Sequence, residues 1–272
     1  QHGGRRTREA RLGQERDPRP VRPGARQIGG LLRHPDPAQL FYQLDEIVSR
    51  RTYTRHGVDA GPGDLVLDVG ANVGVAAAFF AAVCEVARVH SFEPVTPIFD
   101  LLSANVAQFP ACTAHNVGLS STAEVVELTY YPGATAMSGR HADPGDDRGL
   151  VHQSLLNRGV SERDAEERLR GSFEPVTVPC RLTTASAAIR ELQLERIDLL
   201  KIDVEKAELE VLRGVDDADW PRVRQVAMES HDAGGRAEAS ATLLRERGFD
   251  VTVEQDALLR ETGLRMIYAT RA

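Results

Sequence analysis

Leu40, Phe41, Leu44, Ile47 and Val48 recur at helical spacing, which predicts one helix ending before Arg50. Residues 64–69 (DLVLDV) form a short apolar strand that runs into a glycine-bearing turn, Gly70-Ala-Asn-Val-Gly74. The Ala- and Phe-rich stretch 75–86 is long enough for a buried helix. A second strand over 88–92 closes at Glu93-Pro94, a helix follows over 98–106, and a third strand over 113–117. From Tyr130 to Phe173 the pattern breaks: Pro132, Gly133, Gly139, Pro144 and Gly145 mark a long irregular stretch. It leads to a polar helix whose Ser161 and Asp164 have capping spacing. An interruption of that length inside a compact domain predicts a lid or substrate subdomain over 130–175.

Alternation then resumes. An extended segment (176–180), a helix (184–192), a strand (197–204), a helix (207–213), a strand (223–229) and a helix (237–247) follow in turn. Residues 249–254 and 264–270 read as an antiparallel hairpin at one sheet edge. Strand–helix alternation of this kind predicts an α/β fold, a doubly wound and mostly parallel sheet. An N-terminal helical segment precedes it and the lid interrupts it.

Composition narrows the partners. The 272 residues are 42% hydrophobic and carry a formal charge of −7. Residues 1–30 hold eight Arg against three acidic residues, a net +5, which leaves −12 on the rest. An acidic body argues against nucleic acid, which demands a concentrated basic surface. The Gly/Pro/Arg head reads as a disordered linker or tail, and 31–272 as the domain. With a Gln start, the chain reads as an excised piece or a trimmed one. No apolar run reaches the ~18 residues of a membrane span. Cys84, Cys112 and Cys180 lack metal or disulfide spacing, and no secretory signal is present, so a cytoplasmic protein is expected.

Open α/β sheets bind ligands at the carboxyl ends of their strands, and the polar residues of this chain collect there. Gly70 and Gly74 permit a tight turn, but G-x-x-x-G lacks the third glycine of a dinucleotide fingerprint. Asp68 suits the amino group of a zwitterionic ligand. Glu93 ends the second strand, where a carboxylate accepts both ribose hydroxyls. Farther on, strand periodicity puts Asp203 and Glu205 on one face of one strand end, and Glu229 and His231 on one face of the next. If those strands are neighbours, three carboxylates and an imidazole converge. His231 is the expected general base, with Glu229 or Glu205 orienting its ring. The same cluster is an alternative oxygen-rich Mg²⁺ site, not favoured because a histidine in line suits direct base catalysis. Tyr53 and His56, ahead of the first strand, and Tyr130, Tyr131 and Ser138, in the irregular stretch, are candidates for covering a substrate.

Five segments recur in a family's order: Asp68-Val-Gly-Ala-Asn-Val-Gly74, Ser91-Phe-Glu-Pro94, Asn116-Val-Gly-Leu119, Asp198-Leu-Leu-Lys-Ile-Asp-Val-Glu205 and Glu229-Ser-His-Asp232. Together they resemble the FkbM family of S-adenosylmethionine (SAM)-dependent methyltransferases over roughly 40–269. The branch that looks closest comprises O-methyltransferases of polyketide and nonribosomal peptide pathways. Many relatives have Gly where this chain has Lys206. The resemblance implies a seven-stranded sheet with one antiparallel strand. It implies that Gly70, Asn72 and Gly74 form the SAM loop, that Glu93 holds the ribose, and that Asn116 and Val117 lie beside the adenine. It further implies O-methylation of a polyketide- or peptide-type hydroxyl, on a small molecule or a carrier-protein-tethered one, with synthase domains as possible neighbours. Two alternatives stay open: a nicotinamide-dependent oxidoreductase on a similar sheet, and a non-catalytic SAM-binding or docking domain.

Overall fold

A computed structural model describes residues 28–232 and 234–271. In chain order its first half contains α1 (Pro37–Gln43), β1 (Leu65–Val69), α2 (Val75–Ala82), β2 (Arg88–Phe92), α3 (Thr96–Val106), β3 (Cys112–His115), β4 (Gly118–Leu119) and β5 (Glu124–Tyr130). The second half contains α4 (Pro144–Asn157), α5 (Glu162–Arg168), β6 (Val176–Thr183), α6 (Ala185–Glu191), β7 (Leu199–Ile202), α7 (Glu208–Arg213), β8 (Gln225–His231), α8 (Arg236–Glu246), β9 (Asp250–Glu254) and β10 (Leu264–Thr270).

Every residue of β1 is buried, as a strand covered on both faces requires. It pairs in parallel with β2 on one side and β7 on the other. Seven strands lie in the order β3-β2-β1-β7-β8-β10-β9, with only β10 running against its neighbours. The edge hairpin and the single antiparallel strand are thus as expected. Period-two alternation sorts side chains onto two cores. Val66, Leu199, Ala227 and Tyr268 join α2 in one, while Leu67, Leu200, Met228 and Ile267 join α6 and α8 in the other. The linker expected over 1–30 lies, up to residue 27, outside the described residues. Ile28 already packs in the first core.

Two expectations about the middle of the chain change. The extended segment over 176–180, expected where the strand–helix alternation resumes, lies outside the main sheet: β4, β6 and β5 form a second, three-stranded sheet, with β5 antiparallel to β6. The stretch expected to stay irregular until Ser161 contains α4. Pro144 stands at the helix start, where its missing N–H costs nothing, and the Asp143 carboxylate caps the N–H groups of Gly145 and Asp146. A start signal had the composition of a breaker. Ser161 does cap α5, accepting from the Asp164 N–H at 3.2 Å. These lid elements close on their own small core of Tyr131, Met137, Leu155, Ala165, Leu169 and Phe173.

The strand order reverses between β1 and β7, which opens a crevice at their carboxyl ends. Gly70 sits in it at φ 75°, and a Cβ there would lie 1.7 Å from the Asp203 carbonyl oxygen. The loops after β1 and β7 touch through this absent side chain. Gly70→Ala is therefore expected to lower stability by about 3 kcal/mol, from left-handed backbone strain plus the clash. Urea denaturation of the variant beside the parent chain checks this.

Candidate active site

A cavity of about 450 Å³ occupies the crevice and continues under the lid. Gly70, Ala71 and Asn72 wall it from the loop after β1, Glu93 and Pro94 from the end of β2, and Lys201, Asp203 and Glu205 from β7 and its loop. Glu229 contributes from β8, Tyr53 and Glu46 from the N-terminal segment, and Leu155 and Arg158 from α4.

Asp68 does not line this cavity. It is fully buried, with Oδ1 3.0 Å from Lys201 Nζ and Oδ2 accepting from Ser91 Oγ at 3.2 Å. Lys201 also donates to the Gly70 carbonyl at 2.7 Å. Burial pulls the Lys201 ammonium down, but Asp68 and Asp203 outweigh it and hold it above its ordinary value. The role expected for Asp68, holding a ligand's amino group, gives way to anchoring the loop through Lys201. Lys201 was legible as one of only two lysines, two positions before Asp203 on a strand.

The loop fits an adenosine-bearing cofactor. Asn72 is left-handed at φ 48°, Gly74 at φ 93°, and the buried Asn72 Oδ1 has no protein partner. The Glu93 oxygens accept from the Asn72 N–H at 3.1 Å and the Val95 N–H at 3.0 Å, which leaves a lone pair on each for a ribose hydroxyl. Burial raises this carboxyl to about 7. Beyond it the wall is Pro94, Gly118 and Leu119, not Asn116 and Val117. Asn116 turns back, donating to the Glu93 carbonyl at 3.0 Å and accepting from Thr96 Oγ1 at 3.1 Å. It shapes the strand end from behind.

At the other end, Tyr53 is buried and its hydroxyl donates to Asp203 Oδ2 at 2.8 Å. Burial raises Glu229 well above the usual carboxylate range, helped by Asp203 and Glu46. Sequence reasoning missed Glu46. The helix expected to end before Arg50 passes from α1 into a π-helical turn over Leu44–Ser49, a distortion common at functional sites, and Glu46 on that turn faces the cavity. Burial raises its carboxyl too, against Arg158.

His231 stands apart from the cavity wall. Its Nε2 lies 3.1 Å from Glu205 Oε2 and its Nδ1 3.4 Å from Glu208 Oε1. Burial alone would lower the imidazole, but the two carboxylates outweigh it and raise it to about 11. With a carboxylate oxygen facing each ring nitrogen, the protonated ring is favoured and neither nitrogen has a lone pair aimed at the cavity, so the geometry does not suit the expected base. Glu205 does line the cavity, and burial pushes its carboxyl up to about 7 against the pull of His231.

Of the residues expected to cover a substrate, Tyr53 and Ser138 line the cavity. His56 lies outside, 2.9 Å from Glu254 Oε2, on the ring of Tyr268. Tyr130 packs against the first core, and Tyr131 is buried in the lid core with its hydroxyl on Asp147 Oδ2 at 3.1 Å. Among the described residues, metal-ligand spacing occurs not at the Asp203–His231 cluster but on the lid, at His152, Glu162 and Glu166.

The sheet order, the cofactor-shaped loop and the acidic strand ends define a class I methyltransferase architecture. The chain belongs to the FkbM methyltransferase family: the family model "Methyltransferase FkbM domain" matches residues 68–251. The chain is 38% identical over 247 residues to 31-O-demethyl-FK506 methyltransferase FkbM of Streptomyces tacrolimicus, covering 89% of this chain and 94% of that protein. It is 39% identical over 248 residues to the AMB antimetabolite synthetase AmbE of Pseudomonas aeruginosa, covering 85% of this chain but only 12% of that protein. Methyltransferase sdnD of Sordaria araneosa is 35% identical over 79% of this chain and 83% of its own length. Among solved structures, an FkbM methyltransferase from Methylobacillus flagellatus aligns with 91% of this chain and 58% of its own at a TM-score of 0.48 and 13% identity. Family membership decides against the nicotinamide-dependent alternative.

Glu205 and Lys206 are both left-handed, at φ 51° and 73°, a conformation that glycine adopts without strain. The lysine has a task that glycine lacks. Its Nζ reaches Asp147 Oδ1 on α4 at 2.6 Å, and that carboxylate is 1% exposed. Asp147 also accepts from the Asp143 N–H at 2.8 Å. The ion pair pins the lid to the turn that carries Glu205. Removing one member leaves a buried charge uncompensated, so Lys206→Met is expected to cost about 3 kcal/mol. Pairing it with Asp147→Asn is expected to recover most of that, and a double-mutant cycle in urea measures the coupling.

Proposed function

We propose that this methyltransferase transfers the methyl group of SAM to a hydroxyl of a polyketide- or peptide-type secondary metabolite, free or tethered to a carrier protein. The observation that carries the reading is the Glu205 carboxylate, exposed to the cavity and backed by an imidazolium at 3.1 Å. SAM, when bound, supplies an electrophilic methyl group on a sulfonium. Gly70 and Asn72 hold its loop side and Glu93 its ribose. Methylating an alcohol also requires an acceptor for the hydroxyl proton. Glu205 fits that task, because a base is most effective when its pKa lies near the operating pH. His231 keeps the carboxylate oriented, and Tyr53 fixes Asp203 beside it. The name of the relative FkbM specifies a 31-O-demethyl acceptor, which favours oxygen here. The name of AmbE is that of a synthetase, which favours a setting among synthase domains.

Calorimetry with SAM and its demethylated product tests the cofactor, and transfer of labelled methyl to a panel of polyketide and peptidyl alcohols tests the reaction. Glu205→Gln is expected to lower kcat by about 10²-fold or more while leaving SAM affinity within about threefold. The parent enzyme's kcat should rise with pH through about 7, as Glu205 loses its proton. His231→Gln removes the charge that pulls Glu205 down, so that limb should move to higher pH. Full turnover in Glu205→Gln would remove the base assignment.

A further inference from the structure

The lid supplies the cavity with guanidinium groups that the methyl-transfer step does not use. Arg158, the C-cap of α4, and Arg168, the last residue of α5, both line it. They share one aromatic ring: the Arg158 guanidinium carbon lies 5.2 Å from the Tyr42 centroid, and Arg168 Nη1 donates to the Tyr42 hydroxyl at 2.6 Å. Neither is well matched by a carboxylate. The Arg158 side chain is 15% exposed, yet its nearest acidic oxygen, on Asp45, stands 3.6 Å away, beyond a hydrogen bond. Glu46 influences Arg158 from the π-turn without forming an ion pair. Arg168, at the exposed rim of the cavity, forms no ion pair among the described residues; its hydrogen bond goes to the neutral phenol, which holds the guanidinium at the mouth. The other cationic side chains of the wall are committed. Arg140 is 2.7 Å from Glu124, and Lys201 is held by Asp68 and Gly70.

Arg158 is part-buried with its nearest carboxylate outside hydrogen-bond distance, so its donors face the cavity without a close protein acceptor. Its planar fork is shaped for two oxygens of one anion. We propose that Arg158 and Arg168, flanking Tyr42, form a subsite for an anionic group carried by the methyl acceptor, a phosphate or a carboxylate. This rests on reading the cavity as the acceptor site. The two sources have different meanings: a phosphate is what a carrier protein's phosphopantetheine arm would place there, and a carboxylate is what a free acid would place there.

The test titrates the full chain, loaded with S-adenosylhomocysteine, with two matched probe pairs. One is 4′-phosphopantetheine against pantetheine, the other N-acetylglycine against its amide. The subsite predicts that at least one anionic probe binds about tenfold tighter than its neutral partner. That advantage should vanish in Arg158→Met and shrink in Arg168→Met, with S-adenosylhomocysteine affinity and melting temperature held as controls for folding. Preference for the phosphate assigns the carrier arm, and preference for the carboxylate assigns a free acid. Equal binding within both pairs overturns the subsite, as does an anion preference that survives in an Arg158→Met/Arg168→Met chain whose controls are intact. Failure of the unaltered chain to bind S-adenosylhomocysteine would overturn the methyltransferase reading instead.

Discussion

The buried ion pair between Asp68 and Lys201 fixes the geometry on which the cavity depends. The two residues are register partners on β1 and β7, the strands between which the sheet order reverses. Their side chains meet at 3.0 Å with almost no exposure. Buried pairs of this kind seldom stabilise a fold more than packed apolar side chains would, since desolvation consumes the Coulombic gain. This pair places atoms. Lys201 Nζ reaches past Asp68 to the Gly70 carbonyl and so sets the loop that Glu93 receives through Asn72. Its other neighbour is Asp203, 3.9 Å away, which Tyr53 holds in turn. One ammonium thus connects the cofactor end of the cavity to its acidic end.

The frame was readable because sheet periodicity is strong in this chain. LVLDV reads as a short apolar strand closed by a glycine turn, and Glu93 and Asp203 directly follow the last residues of β2 and β7, while Glu229 lies two residues before the end of β8. What failed to read follows from two physical causes. Pro144 and Gly145 have the composition of a loop but the geometry of a capped helix start, so α4, with Asp147 and Arg158, was invisible to pattern. Side-chain direction is the second cause. Asp68, Asn116 and His231 sit where the motifs place them, yet each turns to a protein partner and away from the cavity. Periodicity assigns a residue to a face, but only packing decides what it meets there. Glu46 was hidden by a π-helical turn, which no 3.6-residue repeat reports.

The acidity of the cavity bears on the proposed chemistry through its dielectric. Burial raises Glu205, Glu229 and Glu46 alike, so each would gain by losing its charge. In methyl transfer to an alcohol, Glu205 would take up a proton and become neutral while the cationic sulfonium is discharged. A reaction in which opposite charges vanish together is favoured by poor solvation of the reactants. On that proposal, the segment over 130–175 that covers the carboxylates would serve the step itself as well as substrate retention. The imidazolium of His231 works against this by stabilising the Glu205 anion, and its distance from the cavity wall gives that opposition a purpose. It holds the Glu205 carboxyl to about 7 against the push of burial, whereas Glu229, where burial, Asp203 and Glu46 outweigh the same pull, stays well above the usual carboxylate range.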